Sequence, residues 1–377
     1  MKQKRILPDR LTQSYTILSL IAVSGEFPTK QINRLSGGHE YKVKLIKSLK
    51  RKEWIYTYYS DKLRGYRLTS TTKDMLLNDH KNRFTAYLTG NTETNQPKYE
   101  ITRRLRLHSI SETIVTMHNA DVSVYRDEKP DVFYPYNNNG AILPFSITHP
   151  AFFNSREIKE IGLESVKIQG GRAVGVLLTE YEVFVVYNTG GSLLKWEYKS
   201  EMRTKAVMKT IICRDRLPHQ YRPENVRGMM LGNDMEQMYQ LLTSTGGVKR
   251  NYFILDGNYD SFIYLTNDRN GETLLRLLCD TEKTTALNRI LSENLHGRDP
   301  GLLIENDAID ENGEPVIFAY NCDMPRITRF NSALNLHGKN GTVICFDYQA
   351  DALRRFCCGN ARFQTIDQKK LERKFFP

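Results

Sequence analysis

No stretch of this 377-residue chain approaches the roughly 20 consecutive apolar residues that a membrane span needs, so no membrane partner is expected. The basic start, Met1-Lys2-Gln3-Lys4-Arg5, is not followed by the apolar segment of a secretory leader, which points to a cytoplasmic location. The six cysteines (213, 279, 322, 345, 357 and 358) are scattered, with no C-x-x-C pair. Neither a zinc site nor a disulfide framework is therefore expected, and buried free thiols in a reducing compartment account for them. The phosphate-cradling G-x-x-x-x-G-K-[ST] loop is missing; Gly170-Gly171-Arg172 lacks both the lysine and the spacing. There is no G-x-S-x-G elbow and no His-x-His pair, which removes the familiar hydrolase nucleophile and the metal site of rolling-circle nicking. The acidic run at residues 305–313 lacks the first carboxylate at the proper spacing and the closing glutamate of a calcium loop, and reads as a solvated hairpin turn. No cofactor is expected.

What the chain does have is positive charge, unevenly placed. Residues 1–110 hold 22 Lys and Arg against nine Asp and Glu, whereas residues 111–377 hold 32 against 34. A field confined to one segment suits phosphate neutralisation better than general solubility. The same segment carries a recognisable order of elements. Apolar residues at Leu11, Tyr15, Leu18, Ile21 and Ala22 mark one face of a helix that Gly25 stops. Residues 28–35 give a short second helix with Thr29 as its cap, and Ser36-Gly37-Gly38 a tight turn. A third helix over residues 40–51 turns Val43, Ile46 and Leu49 inward and carries Lys42, Lys44, Lys47, Lys50 and Arg51 on its other faces. An aromatic strand at 54–59, a turn at 61–65 and a return at 66–68 then form a hairpin with Lys62, Arg64 and Arg67 at or near its tip.

Helix, helix, turn, basic helix and basic hairpin together describe a winged helix-turn-helix over residues 1–88. In that docking mode the third helix enters the major groove of double-stranded DNA and the hairpin touches phosphates or the minor groove. Lysine outnumbers the base-reading Arg, Asn and Gln on the helix, which favours phosphate affinity over sharp base readout. A protein-binding module with a solvated basic helix stays open beside this.

Residues 89–97 are polar and rich in helix breakers, hence a hinge. A long helix is expected over 99–118, with Ile101, Leu105, Ile110, Ile114 and Met117 on its apolar side and Arg103, Arg104 and Arg106 near its start. The remaining residues, 119–377, read as a mixed-sheet α/β domain that a boundary near 250 could divide. A helix at 155–162, strands at 172–178, 182–187 and 193–199, a helix at 201–213, a strand at 227–231 and a helix at 234–242 give the order αβββαβα of a restriction-endonuclease-like core. Nucleases on that core carry an acid on the second strand and Glu-x-Lys on the third, for Mg²⁺ and the attacking water. Glu197-Tyr198-Lys199 stands at the second of these places, so Glu197 and Lys199 are the catalytic candidates and Mg²⁺ the cofactor under a nuclease reading. At the first place the expected aspartate is Asn188, a poor ligand for a hard cation. Further strands are expected at 251–255, 261–266, 315–320 and 342–346 and helices at 272–279, 284–292 and 349–357.

The basic N-terminal pattern, the hinge, and the α/β segment around Tyr187-Asn188-Thr189-Gly190 and Trp196-Glu197-Tyr198-Lys199 together resemble the layout of the replication-relaxation proteins of Gram-positive plasmids and integrative elements. The resemblance covers residues 10–245. It implies DNA as partner and a role in replication or transfer of a mobile element, or in their regulation. Metal-dependent nicking, transcription regulation and a protein-binding adaptor stay open. A homodimer and other proteins of the same element are further partners in keeping with it.

Overall fold

The computed structural model describes residues 6–89, 100–133, 142–159, 171–247, 251–357 and 359–377. The chain divides into two compact units, one of Met1–Ser165 with Val174–Leu177, the other of Val166–Ala173 with Leu178–Pro377. The expected divisions at 88, 118 and 250 do not coincide with this one. The hinge expected at 89–97 falls, beyond Thr89, outside the described residues. Helices and mixed sheets are both present, in keeping with the α+β class expected from sequence.

In the first unit, α1 (Gln13–Ser24) begins where the Thr12 hydroxyl accepts the Tyr15 N–H and ends at Gly25, whose φ of 81° is open to glycine at little cost. Leu11, placed on its apolar face by sequence, lies before the cap and is exposed. Next come β1 (Phe27–Pro28), a 3₁₀ turn (Thr29–Arg34) and α2 (His39–Arg51). The short second helix is thus a 3₁₀ turn, and Thr29 provides no cap. The strands β2 (Ile55–Ser60) and β3 (Leu63–Leu68) form a hairpin in which Ser60 opposes Leu63. Its turn is two residues rather than five. Asp61 and Lys62 both have positive φ, 51° and 62°, the twist that matches flanking strands. The sheet order is β1-β3-β2, all antiparallel.

Then follow α3 (Ser70–Asp79), α4 (Lys81–Leu88) and α5 (Ile101–Asn119). Completing the unit are β4 (Ala151–Asn154), α6 (Ser155–Lys159) and β5 (Gly175–Leu178), with β4 and β5 side by side. Sequence put Ile101 and Leu105 on the apolar side of α5. They are instead exposed, and Arg104 is fully buried in their place.

The second unit opens on three parallel strands, β6 (Val183–Gly190), β7 (Val226–Gly232) and β8 (Phe262–Thr266), in that order. All are nearly continuous buried apolar runs, as parallel strands require. Their connections carry α7 (Tyr198–Met208), which runs on as a π-helix (Lys209–Arg216), and α8 (Met235–Leu242). After β8 come α9 (Arg269–Leu278), α10 (Thr281–Leu291), β9 (His296–Gly297) and β10 (Ala308–Ile309). The chain closes with β11 (Pro315–Phe318), α11 (Met324–His337), β12 (Gly341–Phe346), α12 (Ala350–Phe356), β13 (Ala361–Ile366) and α13 (Gln368–Phe375). A second sheet has the order β13-β12-β11-β10-β9, parallel from β11 to β13 and antiparallel at β9 and β10. Of the acidic run at 305–313, Asp310 to Gly313 form the turn of the β10–β11 hairpin, while Asn306, Ala308 and Ile309 before it are buried.

The strand expected at 193–199 is not formed. Residues 194–196 meet 251–253 in a single antiparallel bridge, Lys195 to Tyr252, with the Phe253 N–H donating to Leu194 O and the Trp196 N–H to Asn251 O. Two segments expected as separate strands therefore satisfy each other, and the αβββαβα order is not observed. Trp196 fixes this arrangement by packing edge-on against Phe253 and donating its Nε1–H to Asp256.

Candidate nucleic-acid interface

Helix α2 divides sharply into two faces. Lys42, Leu45, Ile46 and Leu49 are buried, an i, i+3, i+4, i+7 stripe toward the core. Lys44, Lys47 and Arg51 repeat at i, i+3, i+7 on the opposite side and are exposed, a line of three cations about 10 Å long. Tyr41 and Val43, also exposed, flank that line. The helix thus turns a polar stripe outward over its whole length because its inward stripe leaves no room for one.

Two of the eight expected binding residues do not belong to this surface. Lys42 is buried, and its ammonium donates to Asn33 O at 2.9 Å and Leu35 O at 3.0 Å, the carbonyls where the 3₁₀ turn ends. It ties α2 to that turn. Arg67 is also buried, with Nε and Nη2 both donating to Glu26 Oε2, at 2.9 and 2.5 Å. Lys50 is half-covered, its ammonium 5.1 Å from the centre of the Tyr66 ring. Burial, and then the Arg64 charge, hold it below the ordinary lysine range. Lys44, Lys47, Arg51, Lys62 and Arg64 are exposed, and among the described residues none of the five has an ion-pair partner.

The hairpin carries the rest of the surface. Lys62 lies in the turn, Arg64 follows it on β3, and Tyr59 stands opposite Arg64 across the strands, two-thirds exposed. Its placement rests on a buried carboxylate that the sequence analysis passed over. Glu26, just before β1, is fully buried among three cationic or cation-capable groups. Arg67 binds one carboxylate oxygen. Arg104 Nη2 donates to the other at 2.7 Å, and His108 Nε2 lies 2.8 Å from that same atom. Burial alone would push the Glu26 carboxyl up, but the hydrogen bonds from His108, Arg104 and Arg67 prevail and bring it down to about 2. Gly65 on β3 makes room for it: a Cβ there would lie 2.5 Å from Glu26 Cγ. The signals available beforehand were faint but real. Glu26 is a lone acid within the apolar surroundings of Val23 and Phe27, and stepping back along α5 from Ile114 through Ser111 and Leu107 reaches Arg104, not Leu105.

The other candidate centre is not assembled as expected. Glu197 is the residue before α7, and Tyr198 and Lys199 form that helix's first turn. Both Glu197 and Lys199 are exposed. The strand that was to present them beside a second acid is missing, and Asn188 Oδ1 accepts from the Gly190 N–H and from Asn267 Nδ2, lacing the ends of β6 and β8 together. Among the described residues no group of three His, Cys, Asp or Glu side chains is placed to hold a metal ion. No described helix is long and apolar enough to cross a membrane. No protein-family model, curated protein or solved structure matches the chain.

Proposed function

We propose that the N-terminal unit is a winged helix-turn-helix that binds duplex DNA, with α2 laid in the major groove and the β2–β3 hairpin against the backbone beside it. The observation that carries this is the division of cations in the unit. Lys42, Arg67 and Arg104 are buried among carbonyls and a carboxylate, while Lys44, Lys47, Arg51, Lys62 and Arg64 stand outward without an ion-pair partner among the described residues. An unpaired line of cations on one face of a helix, beside further cations on a hairpin, is the electrostatic footprint that a polyanion such as duplex DNA requires. The exposed set is rich in lysine, so the affinity is mostly for backbone, with base readout left to Tyr41, Val43 and Arg51.

The layout resemblance to replication-relaxation proteins supports a role for this binding in the replication or transfer of a mobile element. Strand cleavage through Glu197 and Lys199 gains no support, since Glu197 caps a helix and Lys199 lies in its first turn rather than on a strand. The test is a fluorescence-anisotropy titration of a labelled duplex with wild type, Lys44→Ala/Lys47→Ala and Lys42→Met. Affinity that falls about tenfold in the first variant and holds in the second supports the reading, two lost phosphate contacts being the cause. Affinity that is equal in wild type and the Lys44/Lys47 variant removes α2 from the interface.

A further inference from the structure

The hairpin's cations are held in place by a residue that lies outside both the hairpin and α2. Arg104, near the start of α5, is fully buried, and all three of its guanidinium nitrogens donate hydrogen bonds. Nη1 donates to Ser60 O at 2.8 Å and Nη2 to Leu63 O at 3.0 Å, the two carbonyls that bracket the Asp61-Lys62 turn. Nη2 and Nε also reach the Glu26 carboxylate. The guanidinium lies 4.6 Å from the centre of the Tyr58 ring, and that of Arg67 lies 3.9 Å from the same ring, so one aromatic side chain of β2 is stacked by both arginines. Two non-glycine residues with positive φ make the turn. Such a turn is held by its surroundings, since its residues favour other conformations when free.

We propose that Arg104 is a positioning residue for duplex binding: its planar fork clamps the turn so that Lys62 and Arg64 reach the DNA backbone together with the α2 stripe. The proposal rests on the duplex-binding reading above. A fully buried side chain cannot touch DNA, so its contribution must pass through the hairpin it holds. Lysine is the informative replacement. It keeps the positive charge beside Glu26 but has no planar fork to span two carbonyls. Glu26 retains Arg67 and His108 in that variant, so no buried carboxylate is left bare.

The experiment has two arms on the full chain. In the first, Arg104→Lys is measured for duplex affinity alone, in a Lys62→Ala/Arg64→Ala background, and in a Lys44→Ala/Lys47→Ala background. The expected result is a loss comparable to that of removing Lys62 and Arg64, absent once those two are alanine and undiminished once Lys44 and Lys47 are. A general weakening of the fold would instead lower affinity in every background, and that outcome overturns the proposal. The second arm needs no DNA. Amide hydrogen exchange over residues 60–64 should quicken by about tenfold in Arg104→Lys while α1 keeps its protection. Unchanged exchange at the turn overturns the clamp whatever the affinities. A wild type that binds no duplex would sink the function above and the affinity role with it, while the exchange arm alone would still decide whether Arg104 holds the turn.

Discussion

Replacing Glu26 by Gln should remove a large, pH-dependent share of the first unit's stability. The carboxyl falls from its ordinary 4.5 to about 2 in the folded chain. At 1.36 kcal/mol for each pKa unit, that difference is worth about 3 kcal/mol of folding free energy. The sign follows from the direction. A carboxyl whose folded pKa is depressed contributes stability that is fully present above its unfolded value and drains away as pH falls from 4.5 toward 2. Gln keeps the shape without the charge and leaves Arg67 and Arg104 buried against a neutral amide, a kind of loss that costs about 3–5 kcal/mol. Wild type should therefore exceed Glu26→Gln by that order at pH 6, and the gap should narrow by most of it near pH 2.5. The chain has two tryptophans, Trp54 in the first unit and Trp196 in the second, so a Trp196→Phe background leaves Trp54 as a reporter of the first unit. Urea unfolding followed by its fluorescence at the two pH values gives the gap directly. A gap of the same size at both would refute the charged hub, because it would show that Glu26 acts by shape alone.

Three further substitutions test the packing. Lys42→Met should lower stability by about 1–3 kcal/mol, as the buried Leu35 carbonyl and the part-buried Asn33 carbonyl lose their donor, and Lys47→Ala should leave stability unchanged; denaturant midpoints separate the two. Gly65→Ala would set a Cβ 2.5 Å from a Glu26 side chain fixed by three partners, and should destabilise the first unit by about 2 kcal/mol in the same Trp54 assay. Gly271→Ala would set a Cβ 1.9 Å from Thr266 O, backbone that has nowhere to move at the start of α9. Trp196 fluorescence in a Trp54→Phe background should report a loss of about 3 kcal/mol there.

Local pattern carried much of this fold. Helices α1 and α2, the aromatic hairpin, and strands β6, β7, β8 and β12 were all legible to within a few residues, because each is fixed by its own periodicity. The misplacements share one cause. Lys42, Arg67 and Arg104 occupy core positions, and a count of apolar residues steps over a charged one. That is why Val43 was turned inward in place of Leu45, and Leu105 in place of Arg104. Only long-range partners reveal such positions: two loop carbonyls for Lys42, and a carboxylate 78 residues away for Arg104. Residues 193–199 failed for a related reason. Their alternation is that of a strand, but pairing is decided by what lies alongside, and the neighbour is residues 251–253. Helix α11 escaped notice because Arg326, Thr328, Arg329 and Asn331 mask a narrow inward line of Ile327, Phe330 and Leu334. The exposed half of the candidate interface was legible from charge alone, whereas the buried hub that orients it was not.

The most direct test is the salt dependence of duplex binding by the full chain. Affinity for a duplex of arbitrary sequence, measured by anisotropy between about 50 and 200 mM salt, gives the number of phosphates neutralised from the slope of log K against log salt. Five outward cations at about 0.9 each predict a slope of about −4.5 for wild type and about −2.7 for Lys44→Ala/Lys47→Ala. A shallow slope shared by both proteins, or no binding at the lowest salt, would contradict the assignment of this surface to DNA.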